Sequence, residues 1–315
     1  VIISFDYSAL NSSIELFENI EKNIALTENQ LNSYLEEEGI KFLNQHLMYY
    51  GGSMIGKELL VKLFSLAKEN PKLEGVDNII LKSIKQGFSR FRCVKETLSK
   101  LDLNQIIHNS VKMANKFLPI SIDDDLDIKV YFLYGIRGTS IVLKDKIAVD
   151  LCDEVLWEGD KINSEFLTRI IAHEVHHIGT DRNFKSVIDG LNSGGKKDKV
   201  RLLSELLSEG SAMYYLNNPE ELSSFKSTQW QNNDENMTLI LEEVELIIDK
   251  IIAGELEVDK EIEVLFGEEL KGYWAGYHMV EIIDRIFGLN TVLECISNIN
   301  LFLEYYNRAK KFTNT

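Results

Sequence analysis

Two histidines and a glutamate stand at 173, 177 and 174, inside the run Ile170-Ile171-Ala172-His173-Glu174-Val175-His176-His177-Ile178. On a helix, residues four apart lie one turn from each other on the same face, so both imidazoles can reach one ion. Zinc–imidazole bonds of about 2.0–2.1 Å in a tetrahedral shell suit that spacing. Glu174 is rotated about 100° from His173. It reaches the side where water would sit, which is the place of a general base. His176 points to another face and reads as a packing or surface histidine. The ion needs a third protein ligand. The longer HExxHxxGxxH pattern requires a glycine at 180 and a histidine at 183, but Thr180 and Asn183 stand there, and the one histidine downstream is His278. The third ligand is therefore expected on the next helix, in Leu203-Ser204-Glu205-Leu206-Leu207-Ser208-Glu209-Gly210-Ser211-Ala212. Glu209 is the candidate, because Gly210, Ser211 and Ala212 after it let a neighbouring helix come close. Glu205, on the same face one turn earlier, is the alternative ligand or the acceptor of an imidazole N–H. An oxyanion formed at such a site wants a further donor. Tyr277 and His278, with Tyr273 behind them, are the candidates, while His46 and His108 read as ordinary surface or core histidines.

These residues must be positioned by a mostly helical chain. Three prolines in 315 residues, with abundant Leu, Ile, Glu and Lys, favour helix. Four or five helices are expected between 13 and 116. Among them are 28–49, stopping at Gly51-Gly52; 54–67, ending before Pro71; and 79–98, where Leu81, Ile84, Phe88, Phe91 and Val94 form one stripe. After Pro119 the pattern turns β-rich, and 128–134, 140–143 and 146–151 are expected to form a small antiparallel sheet. The histidine-bearing helix is expected over 165–178 with Asn163 or Ser164 as its cap. A polar, glycine-containing loop over 179–198 follows as a rim to the site, then a helix over 199–216 and further helices near 239–252, 274–287 and up to 309. The fold class is α+β, predominantly helical. The division expected is a helical module over 1–118, a core carrying the sheet and both ligand helices over 119–218, and a helical module over 219–315.

HExxH followed by a helix bearing Ser-Glu-Gly-x-Ala resembles the gluzincin superfamily of zinc peptidases. The resemblance is nearest to poorly characterised bacterial families of zinc-dependent peptidases, and it rests on residues 130–277. It implies Zn2+ as the cofactor, His173, His177 and Glu209 as its ligands, and Glu174 as the base. Met213 stands where thermolysin-like enzymes carry an aspartate, and the GxMEN-type exopeptidase signature is absent, so neither subgroup is matched. A Gly-Tyr pair on a late helix, here Gly276-Tyr277, is a further point of likeness. Gluzincins lay an extended substrate along the edge strand of the sheet. By that resemblance the substrate-binding candidates fall between 134 and 142: Gly135 and Gly138 for close backbone approach, and Arg137 for an acidic side chain or a terminal carboxylate.

Charge bounds the partners. Thirty-four Lys and Arg against 50 Asp and Glu leave a formal net charge of −16. Phosphate contacts need clustered cations, so a nucleic-acid partner is excluded, and an anionic membrane would repel this surface. The expected partner is a peptide or protein substrate, neutral or basic. The acidic stretch 234–270 reads as a solvated face. Cys93, Cys152 and Cys295 lie far apart outside any CxxC pair and read as reduced or buried thiols. The start has neither a basic region nor a signal-like apolar run, and Val1 in place of Met points to a processed beginning. A cytoplasmic setting is slightly favoured, with secretion open if a signal was removed. Two other functional readings stay open: a zinc hydrolase of a non-peptide substrate, and a metal-free helical interaction protein.

Overall fold

The computed structural model describes residues 2–49, 52–67, 75–120, 127–192, 194–222 and 226–313. Fourteen α-helices and a small sheet occur among them, which makes the protein a predominantly helical α+β chain. The chain divides into two compact units, residues 1–110 with 123–174, and residues 111–122 with 175–315.

The first unit is built on a four-stranded sheet, from β1 (Ile2–Asp6), β2 (Asp127–Leu133), β3 (Ser140–Leu143) and β4 (Lys146–Asp150), in the order β1-β2-β4-β3. β1 and β4 both run parallel to β2, and only β3 is antiparallel, on β4. The expectation of an antiparallel sheet is therefore corrected to a mixed one. The Ile2–Asp6 strand supplies one parallel edge. The β3–β4 hairpin supplies the other correction, because β3 is carried to the outside and β4 returns beside β2. β2 is apolar along most of its length, as befits a strand covered on both faces.

Around this sheet stand α1 (Ser8–Glu21), α2 (Glu28–Glu36), α3 (Glu38–Tyr49), α4 (Lys57–Ala67) and α5 (Gly75–Ser99). Phe17 of α1 gathers Phe64, Phe88, Phe91 and Tyr134, with ring centroids between 4.8 and 6.0 Å away. The single helix expected over 28–49 is broken at Glu37, whose backbone is extended at φ −60° and ψ 138°. The cause is tertiary. Gly39 sits where a Cβ would lie 3.1 Å from both Ala9 and Leu133, so α3 must turn to pack on α1 and β2. The expected stops at Gly51 and Pro71 fall outside the described residues.

The histidine-bearing helix α7 (Ser164–Asp189) is one unbroken element, and the division between the units falls after its Glu174. The loop expected from residue 179 is instead eleven further residues of this helix, 179–189. Gly179 is not a stop, because a Cβ there would lie 2.4 Å from Leu118; the glycine makes room for packing. Phe184 is buried below a polar outer face, which had read as loop.

The second unit continues with α8 (Gly195–Tyr215), α9 (Thr228–Glu235), α10 (Met237–Ala253), α11 (Val258–Leu265), α12 (Lys271–Phe287), α13 (Leu289–Ser297) and α14 (Asn300–Thr313), and takes in the end of α6 (Leu103–Asn115). Its centre is the pair α8 and α12, which meet backbone to backbone. A Cβ on Gly210 would lie 2.2 Å from the carbonyl carbon of Gly276, and one on Gly276 would lie 2.2 Å from the carbonyl oxygen of Leu206. Trp230, Trp274 and Tyr306 fill the core around them. No helix among the described residues is long and apolar enough to cross a membrane. All three cysteines are free thiols.

Candidate metal centre

α7 is started by Asn163, whose Oδ1 accepts the backbone N–H groups of Glu165 (2.9 Å) and Phe166 (3.2 Å). Ile171, Ala172, Val175 and His176 are fully buried along its middle. The helix is therefore anchored on its apolar side, and the side chains of His173, Glu174 and His177, though largely buried, keep a small access to solvent.

One turn apart on this helix, His173 and His177 converge with Glu209 of α8. The nearest donor atoms of the three lie within 4.8 Å of one another. Nε2 of His177 stands 3.3 Å from Oε2 of Glu209. Two ligands each about 2.0–2.2 Å from a tetrahedral zinc are separated by roughly 3.4 Å, so this pair already has the spacing of two corners of one shell. Two imidazoles and one carboxylate are also the donor set that binds zinc while leaving a position for water or substrate. By geometry and by donor chemistry, these residues fit a zinc ion.

The other nitrogen of His177 is held from α8. Nδ1 lies 2.7 Å from Oγ of Ser208, and that oxygen lies 2.7 Å from Oγ1 of Thr180. Ser208, rather than Glu205, is thus the hydrogen-bond partner of this imidazole. Glu205 instead feels the charges around it: burial first, then Glu209 and Asp181, push its carboxyl up to about 7, against a smaller opposing pull from His177. His176 points away and is fully buried, with Nε2 3.5 Å from Oγ of Ser211.

Glu174 is oriented by the sheet. Oγ of Ser140, the first residue of β3, donates to Oε1 of Glu174 at 2.5 Å. β3 is one of the two outer strands of the four-stranded sheet, the other being β1. The Asp150 N–H meets the Thr139 carbonyl at 3.4 Å. By the alternation of an antiparallel ladder, Ile141 and Leu143 then turn their backbone groups to β4, and Ser140 and Val142 turn theirs to the open edge.

The remaining candidates have other commitments. The N–H groups of Gly135, Ile136, Arg137 and Gly138 all donate to the buried carboxylate of Asp150, at 2.6–2.8 Å. Gly135 and Gly138 have φ of +69° and +75°, the left-handed region that glycine adopts without strain. This loop is a turn wrapped on Asp150, and the N–H groups of Gly135, Arg137 and Gly138 are committed to it. Tyr277 is buried against Trp230 and Tyr214, and its hydroxyl donates to Oδ1 of Asn218 at 3.0 Å. His278 places Nδ1 2.9 Å from Oε2 of Glu281 and tilts its ring on Trp274. That hydrogen bond holds the Glu281 carboxyl below its ordinary range. The hydrogen bonds described for Tyr277 and His278 thus lead to Asn218 and Glu281, not to the histidine–glutamate group. The sequence assigns no role to Ser140, Asp150, Thr180 or Ser208; Thr180 enters there only as a departure from the longer histidine motif, and Ser208 only as the neighbour of Glu209.

A family model described as "Putative zinc dependent peptidase (DUF5700)" matches residues 17–315 of the chain. Comparison with curated proteins and comparison with solved structures each return no match.

Proposed function

The chain belongs to the family described as "Putative zinc dependent peptidase", and from that premise we propose that it hydrolyses peptide bonds at the His173–His177–Glu209 group, in the manner of a gluzincin, with Glu174 as general base. The observation that carries the reading is the convergence of those three side chains within 4.8 Å, on the helix that also presents Glu174. Zinc held there supplies Lewis-acid polarisation of the scissile carbonyl and lowers the pKa of water.

The chain's own residues do the rest. The hydrogen bond from Ser140 occupies Oε1 of Glu174 and leaves Oε2 as the basic oxygen. Glu174 accepts a proton from the attacking water there and returns it to the leaving amine. The substrate lies extended along β3, adding a strand through the outward backbone groups of Ser140 and Val142. This places the peptide beside the base, because Ser140 belongs to both. A peptide or protein with neutral or basic side chains suits a chain of net charge −16. Tyr277 or His278 serves as oxyanion donor only if substrate draws it away from Asn218 or Glu281.

A peptide library incubated with zinc-loaded wild type and with Glu174→Gln tests the reading. Cleavage by wild type, reduced at least about a thousandfold in the variant while zinc is retained, is the expected result. Zinc binding without cleavage of any peptide would transfer the site to a non-peptide electrophile. A chain that binds no zinc would sink the hydrolase reading altogether.

A further inference from the structure

Thr180 stands three residues beyond His177, at the place where the extended histidine motif needs a glycine. It is fully buried, and its hydroxyl lies 3.1 Å from the His177 carbonyl and 2.7 Å from Oγ of Ser208. Ser208 in turn lies 2.7 Å from Nδ1 of His177. The three contacts close a loop that leaves the imidazole of His177 and returns to its own backbone. Each hydroxyl has one proton to give, so the loop runs in one of two directions. With the Thr180 O–H on the His177 carbonyl, the Ser208 O–H must go to Thr180, and Ser208 can only accept from Nδ1–H. With the Thr180 O–H on Ser208, the Ser208 O–H goes to Nδ1, and the proton of a neutral imidazole must sit on Nε2.

We propose that Thr180 and Ser208 form a tautomer lock, which keeps the proton of His177 on Nδ1 and so presents Nε2 as a lone pair toward Glu209. Resting as it does on the proposed zinc site, this inference assigns Thr180 as a positioning residue for a ligand that it does not touch. The carbonyl of His177 is the anchor of the lock. It can only accept, so the outward direction makes hydrogen bonds of all three contacts, whereas the reverse direction leaves the 3.1 Å contact of Thr180 with that carbonyl without a proton. Imidazole ligands are commonly oriented by a carboxylate or a carbonyl on the far nitrogen. Here a hydroxyl pair does the same with no added negative charge, in a neighbourhood where Glu205, Glu209 and Asp181 already repel one another.

Thr180→Val and Thr180→Ser separate the lock from mere packing. Valine keeps the shape and removes the acceptor for the Ser208 O–H, which then turns onto Nδ1 and favours the tautomer that cannot bind. Serine keeps the hydroxyl and loses a methyl. Zinc affinity, measured by chelator competition, is expected to fall about tenfold or more in Thr180→Val and to stay within about threefold of wild type in Thr180→Ser. Long-range 15N–1H spectra of the apoprotein should show His177 protonated on Nδ1 in wild type and in Thr180→Ser, and shifted toward Nε2–H in Thr180→Val. Equal zinc affinity in wild type and Thr180→Val, or an Nε2–H tautomer in the wild-type apoprotein that gives way only when zinc binds, would overturn the lock while leaving the zinc site standing. A wild-type protein that bound no zinc would overturn the lock and the proposed function together.

Discussion

Half-buried Ser140 and fully buried Asp150 are two polar commitments of the sheet whose removal has different consequences. Ser140→Ala deletes the one hydrogen bond described for the Glu174 carboxylate. The expected outcome is a kcat lower by about tenfold with zinc content and KM nearly unchanged, since neither ligand nor backbone edge is altered. A loss of zinc or an unchanged kcat would show that Ser140 does not orient the base. Asp150→Ala leaves the N–H groups of Gly135, Ile136, Arg137 and Gly138 without their acceptor. Stability should fall by more than about 3 kcal/mol, as read from the urea midpoint. The shared face of His173 and His177 was legible from spacing alone, because helix geometry brings residues four apart one turn above each other. Ser140 and Asp150 were not, because their partners lie 34 and 12 to 15 residues away, and nothing local marks such pairs.

Helices that touch through glycines place Glu209 from the sequence outward. Gly210 follows Glu209 directly, and Gly276 faces that glycine from α12. Gly210→Ala forces a methyl into the backbone of α12 and should cost about 3 kcal/mol in stability. Because it must push α8 away, it should also weaken zinc binding, which chelator competition would detect; a variant as stable as wild type would contradict the packing. The small residues after Glu209 were read in the sequence as allowing a close neighbour, and this contact has that form. The course of α7 was read less well. Gly179 and the polar run after it resemble a loop when seen singly, whereas Leu118 packed on the glycine and Phe184 buried below the run keep the helix going. The sheet directions escaped for a similar reason, since strand order follows from how β1 and β4 pack on β2 and not from their order in the chain.

Charge and pH act on the molecule as a whole. A net charge of −16 should steer cationic peptides, so kcat/KM for a lysine-rich substrate should drop several-fold between about 0.05 and 0.3 M salt. A neutral substrate should respond much less, and an equal response of the two would remove charge from the account of specificity. Burial and the neighbouring Arg137 hold the imidazole of His46 down to about 4 from an ordinary 6.5. The folded chain thus keeps it neutral where the unfolded chain protonates it, and stability present above about pH 6.5 is lost as pH falls toward 4. His46→Gln should flatten part of that fall in the denaturation midpoint between pH 7 and 4. The central claim, that His173, His177 and Glu209 together hold one zinc ion, is tested most directly by elemental analysis of wild type and Glu209→Gln after equilibration with zinc and gel filtration. One equivalent of zinc per wild-type chain and a small fraction of that in the variant is the result expected; no zinc in the folded wild type, or an undiminished equivalent in Glu209→Gln, would contradict it.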